Sequence, residues 1–79
     1  MDSNVLIAQA IATIHELTFG TIFTLKDLFE IDEWEHIAVG KRQTLGRYFR
    51  TQVDNGLIPH VFYFDNRYGT NRYIKKEDA

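Results

Sequence analysis

Eight of the chain's nine Lys and Arg residues fall between positions 41 and 76, and most stand among side chains that hydrogen-bond well. Lys41, Gln43, Thr44, Arg47, Arg50 and Thr51 form one group, and Arg67, Tyr68, Arg72, Lys75 and Lys76 form a second. A guanidinium forks onto two adjacent acceptors, an ammonium is a compact point charge, and amides and hydroxyls both donate and accept. That is the chemistry of phosphate oxygens and base edges. Support for covalent or metal chemistry is much thinner. Ser3 is the single serine, cysteine is absent, and no Gly-rich loop follows a strand-like run. His15, His36 and His60 are far apart, and His15-Glu16 lacks the second histidine four residues on that a metalloprotease helix needs. No catalytic residue, metal or cofactor is expected, and the chain is not expected to be an enzyme.

The net charge of −2 hides the arrangement. Residues 1 to 39 hold one base, Lys26, against Asp2, Glu16, Asp27, Glu30, Asp32, Glu33 and Glu35, a balance of −6. Residues 40 to 76 hold eight bases against Asp54 and Asp65, a balance of +6, and Glu77 and Asp78 follow. A chain divided in this way can turn one face to phosphates while staying near neutral overall.

The elements that must position these groups are few. Seventy-nine residues, 44% hydrophobic and 25% charged, suit one compact core, so a single domain over 1–79 is expected. Without cysteine, packing alone must hold it. The first residues carry acid where a signal peptide carries Lys or Arg, and Gln9, Thr13 and His15 interrupt the apolar run. Neither export nor a membrane span is indicated, and a cytoplasmic location is expected.

Asp2 and Ser3 are N-cap candidates for a first helix from about Asn4 to Leu17, with Ile7, Ala10, Ile11, Ile14 and Leu17 at helical spacing. Val5, Leu6, Ala8 and Ala12 widen its apolar surface, so either this helix is central or part of it is a homodimer contact. Gly20 closes the region, and Thr21-Ile22-Phe23 reads as a short strand. Thr24 caps a second helix with Leu25, Leu28 and Phe29 on its apolar face. Residues 31 to 39 form a connecting turn or short helix pinned by Trp34. A third helix runs from about Lys41 to Asn55 with Leu45, Phe49 and Val53 at i, i+4 and i+8, stopped by Asn55-Gly56. Residues 57 to 64 read as a strand that Pro59 makes irregular at its start, 65 to 70 as a turn, and 71 to 76 as a returning strand.

Helix, short strand, helix, turn, helix and two-stranded hairpin is the order of an α+β winged helix-turn-helix, the third helix crossing the second and the hairpin forming the wing. On the third helix, Leu45, Phe49 and Val53 take one side, leaving Gln43, Thr44, Arg47, Arg50 and Thr51 outward with no carboxylate among them. At 1.5 Å per residue this helix is roughly 20 Å long and suits a major groove about 12 Å wide. Arg47 can fork onto guanine, Gln43 can pair with adenine, Thr44 can meet a thymine methyl or a phosphate, and Lys41 with the helix-start amides can anchor a phosphate. Arg67 and Tyr68 sit at the wing tip, with Arg72, Lys75 and Lys76 on its return, facing an adjacent minor groove or backbone. The expected partner is duplex DNA, as for a transcriptional or phage-type regulator.

The segment Gly40-Lys41-Arg42-Gln43-Thr44-Leu45-Gly46-Arg47-Tyr48-Phe49, followed by Val53-Asp54-Asn55-Gly56-Leu57-Ile58 and Asn71-Arg72-Tyr73, resembles a family of small bacterial and phage-borne proteins known as a domain of unknown function. The resemblance covers about the last two-thirds of the chain and implies a winged-helix-like architecture; it supplies no substrate and no catalytic residues.

Plainer roles stand beside these. Arg42 points nearer the buried side and can pair with Asp27, Glu30 or another acid of the first half. Gly46, mid-helix, suggests the close approach of another helix. Trp34, Phe49, Phe62, Phe64 and Tyr73 read as core or half-buried sheet residues, and Tyr68 as the aromatic exposed for contact. The rival function is a protein-binding adaptor that engages a partner through the acidic segment Asp27 to Glu35 or the first helix, with the basic half merely balancing charge.

Overall fold

The computed structural model describes residues 3–77, so the N-cap candidate Asp2 and the tail residue Asp78 lie outside the described residues. Helix α1 spans Ser3–Glu16 and buries Leu6, Ile7, Ala10 and Ile14, a stripe at i, i+1, i+4 and i+8. Ile11 and Leu17 pack half-buried beside it; of the residues that widen its apolar surface, Leu6 enters the core while Val5, Ala8 and Ala12 stay exposed. No described helix is long and apolar enough to cross a membrane. Strand β1, Ile22–Phe23, follows the Gly20 turn (φ 96°).

The helix expected after Thr24 shrinks to a three-residue 3-10 turn, Lys26–Leu28. Thr24 and Asp27 close on each other: the Asp27 amide donates to Thr24 Oγ1 at 3.3 Å and the Thr24 amide donates to Asp27 Oδ2 at 3.0 Å. This reciprocal cap satisfies both amides within one turn. Phe29 then turns extended (φ −124°, ψ 153°), which buries its ring against Trp34 at 5.8 Å. The connecting segment supplies the real second helix, α2, Ile31–Glu35.

Helix α3, Val39–Asp54, starts two residues earlier than the sequence suggests and buries Leu45, Phe49 and Val53 as their spacing requires. It ends in a Schellman motif: Gly56 takes φ 69°, its amide donates to Val53 O, and the Leu57 amide donates to Gln52 O. Residues 57 to 60 are not strand. Pro59 has no amide to give a ladder, and His60 adopts φ 65°, so extended pairing begins only at Val61.

Strands β2 (Val61–Arg67) and β3 (Thr70–Lys75) form the hairpin, and the antiparallel sheet order is β1-β3-β2. The hairpin loop is two residues, Tyr68 and Gly69, both with positive φ (54° and 77°), which is the twist-matched turn for a tight hairpin. It is tighter than the expected turn over 65 to 70. Opposite Tyr73 the register shifts between Tyr63 and Asp65, leaving Phe64 as the bulged residue. Phe23, Leu25, Leu28, Phe29, Ile58, Val61 and Tyr73 meet the α1 and α3 stripes in one core, with Phe49 edge-on to Tyr73 at 4.9 Å. Burial raises the Tyr73 phenol above its ordinary value. The architecture is an α+β winged helix, with α3 and the hairpin wing side by side.

Candidate nucleic-acid interface

Because Leu45, Phe49 and Val53 hold α3 to the core, its opposite side turns to solvent, and the tight hairpin brings Gly69, Thr70 and Asn71 across from it. Lys26 from the 3-10 turn and Thr24 and Leu25 just before it line an open cleft of about 860 Å³ together with Trp34 and Tyr73. Lys26, Arg42, Arg47 and Arg50 line it together with Gln43, Thr51, Thr70 and Asn71; no Asp or Glu is among its lining residues. Lys26 is the residue sequence reasoning missed. Summed into the acidic half, it looked like a minority charge, yet the fold carries it to the basic cleft.

The four cations are held differently. Arg42 Nε donates to Trp34 O at 3.0 Å and Nη2 to Glu35 O at 3.1 Å, closing the end of α2. Its structural role therefore runs through backbone carbonyls and not through the carboxylates expected. Arg50 lies 3.5 Å over the Tyr63 ring and donates from Nε to both carboxylate oxygens of Asp54 at 3.0 Å. The Asp54 hydrogen bond raises the Arg50 pKa further, against the opposing effect of desolvation. Asp54 thus corrects the expectation of an outward face free of carboxylate: one sits a turn below Arg50. Among the described residues, the side chains of Arg47 and Lys26 make no hydrogen bond or ion pair, and both are exposed. Thr51 Oγ1 donates to Arg47 O, and Thr44 Oγ1, outside the cleft, donates to Gly40 O. Both hydroxyls keep acceptor capacity.

The other expected site residues separate. Lys75 is a correction: it is 6% exposed, and Nζ donates to the carbonyls of Ile14 (2.8 Å), His15 (3.3 Å) and Leu17 (2.7 Å). It caps the C-terminal end of α1, where unpaired carbonyls and the helix dipole favour a cation. Arg72 is half-buried in a two-bond ion pair with Asp65, both contacts at 2.6 Å. That hydrogen bond, opposed by desolvation, holds the Asp65 carboxyl below the usual range, and the Arg72 charge is already matched. Lys41 lies in a different groove altogether. Arg67 and Tyr68 do reach the wing tip, 5.5 Å apart, with Tyr68 92% exposed. Lys76 is exposed 4.8 Å from the Phe62 ring.

Three further expectations change. Phe62 and Phe64 are 39% and 45% exposed rather than core, because they occupy the face of β2 opposite Val61 and Tyr63. Gly46 does not accommodate another helix, since a Cβ there would meet nothing within 4 Å; it lines the cleft. The acidic segment forms part of a second groove of about 660 Å³, lined by Leu6, Phe29, Ile37 and Ala38 together with Asp32, Glu33, His36 and Lys41.

The model of a family described as a domain of unknown function, DUF1413, matches residues 8–75. Among solved structures, one described as "SCCmec type IV LP1413 - nucleic acids binding protein" superposes with a TM-score of 0.73 at 17% identity, covering 95% of this chain and 87% of that one. No curated protein matches the sequence.

Proposed function

The chain belongs to the DUF1413 family, whose description names no activity, and from that premise we propose that it binds nucleic acid through the cleft between α3 and the wing, with duplex DNA as the ligand. The observation that carries this reading is the lining of that cleft: four cations, hydrogen-bonding side chains and no carboxylate. The description of a protein of the same fold as nucleic-acid binding supports the class of ligand. In this reading Arg47 and Gln43 meet base edges in the major groove, Lys26, Arg42 and Arg50 hold backbone, Thr51 adds a short contact within the cleft and Thr44 one beyond its edge. Arg67 and Tyr68 touch the neighbouring minor groove or phosphates. A domain this small reads few base pairs, so a regulator's specificity requires two copies or a larger partner.

A second reading, an unpaired strand, is favoured by one observation. Three exposed aromatics each have a cation beside the ring: Phe62 with Lys76, Phe64 with Arg72 and Tyr68 with Arg67. Rings with interleaved cations stack bases without reading sequence.

Fluorescence anisotropy with one labelled oligonucleotide, single-stranded and annealed, tests both. The expected result is tighter binding to the duplex, with log affinity falling by about 0.9 per phosphate contacted for each unit of log salt. Lys26→Ala with Arg47→Ala should weaken it while leaving the fold intact. Preference for the single strand would favour the second reading, and no binding at low salt would reject both.

A further inference from the structure

Gly46 works against the element that contains it. It sits in the middle of α3, where alanine is the more stable residue. Its backbone is not left-handed, and a Cβ would meet nothing within 4 Å, so neither a turn nor a tight neighbour accounts for the missing side chain. Residues four apart on a helix share a face, which places Arg42 one turn before Gly46 and Arg50 one turn after it. All three line the cleft, with Gly69 and Thr70 on the opposite wall. The result is a notch of bare helix between two guanidinium groups already fixed in place, Arg42 by the carbonyls of Trp34 and Glu35 and Arg50 by Asp54 and the ring of Tyr63.

We infer that Gly46 is kept free of a side chain so that a backbone phosphodiester of the bound strand can seat against α3 between Arg42 and Arg50. The inference deepens the proposed function and rests on it. Non-bridging phosphate oxygens accept charge-assisted bonds from both guanidinium groups. The amides of a helix interior are already used by carbonyls four residues back, so the glycine contributes access and not hydrogen bonds. A methyl group at this position would stand where the phosphate sits, although it fits the unliganded protein.

Fit without ligand and obstruction with it make the test specific. Gly46→Ala should raise the melting temperature by about 4 °C or more, the shift a glycine-to-alanine gain in helix propensity produces in a domain of this size, and should weaken binding of a fluorescein-labelled oligonucleotide about tenfold. Gly46→Leu, also a good helix former but longer, should remove measurable binding while remaining folded. Arg47→Glu serves as the control for the cleft itself. If both Gly46 variants bind like the wild type while Arg47→Glu does not, the phosphate seat is wrong and the proposed function stands. If Arg47→Glu also binds normally, the cleft is not the binding surface and both fall. A lower melting temperature for Gly46→Ala would mean the glycine serves the fold, and would overturn the inference.

Discussion

The two grooves of this molecule share α3 as a wall, with six of its residues lining one and Lys41 alone lining the other, and differ in what the chain places opposite it. On one side, Lys26 and the wing residues Gly69 to Asn71 complete a cleft with four cations and no carboxylate. On the other, Leu6 of α1 and Phe29, Ile37 and Ala38 from the segments flanking α2 join Asp32, Glu33, His36 and Lys41. The opposite charges of the two halves of the sequence are therefore expressed as two surfaces, but each half lends one cation to the other: Lys26 goes to the cleft and Lys41 to the acidic groove. The lesson is that sign along a chain indicates a surface only after the fold has redistributed it. Which cations remain available then depends on local pairing, and among the four of the cleft Arg47 and Lys26 are the ones whose side chains have no partner among the described residues.

The comparison can be broken at the shared wall. Phe49 is the fully buried residue that seats α3 on the core, edge-on to Tyr73, so Phe49→Ala should cost about 3–5 kcal/mol in denaturant unfolding and disturb both surfaces together. Reversing the charges instead leaves the wall intact. Lys26→Glu with Arg47→Glu should lower oligonucleotide affinity about 100-fold, the scale of losing two charge-assisted contacts, with little change in melting temperature. Asp32→Lys with Glu33→Lys, in the other groove, should leave that affinity nearly unchanged; a gain as large as the loss from the first pair would mean that binding follows net charge alone.

Smaller effects sharpen the distinction between cations of the fold and cations of the surface. Lys75→Met leaves the end carbonyls of α1 without their buried donor, and a loss of about 2 kcal/mol in stability is expected, with unchanged affinity per folded molecule. The Asp65–Arg72 pair makes the wing sensitive to acid. Because the folded-state pKa of Asp65 is lowered, its contribution is complete above the ordinary carboxylate value of about 4 and is lost as pH falls through the lower folded value. Asp65→Asn should therefore flatten the stability profile below about pH 4 and leave its slope near neutrality unchanged. Tyr68→Asn is the mildest change. Asparagine suits the left-handed turn position better, so stability should rise by about 0.5 kcal/mol while affinity falls a few-fold if the exposed ring touches the ligand.

Much of the architecture was legible because it repeats at the periods its packing demands. Leu45, Phe49 and Val53 define the buried side of α3, and the Asn55-Gly56 stop is seen as a Schellman end. The segment after Thr24 was harder, since Leu25, Leu28 and Phe29 satisfy a helical face and a tightened turn equally well; the mutual cap with Asp27 and the extended Phe29 decided it. In β2 both parities of Val61 to Phe64 are apolar, so alternation could not tell which pair faces out. Lys75 did carry a readable signal: two residues after the buried Tyr73, it shares that side of β3. What was hidden was the partner, the end of α1, sixty residues away in sequence.

Amide chemical-shift mapping with a short duplex at low salt tests the central claim most directly, because both grooves report in one titration. The account requires shifts concentrated at Lys26, Gln43, Gly46, Arg47, Thr70 and Asn71, fading as salt is added, with His36 and Ile37 unmoved. Shifts centred on His36 and Ile37, or none at low salt, would contradict it.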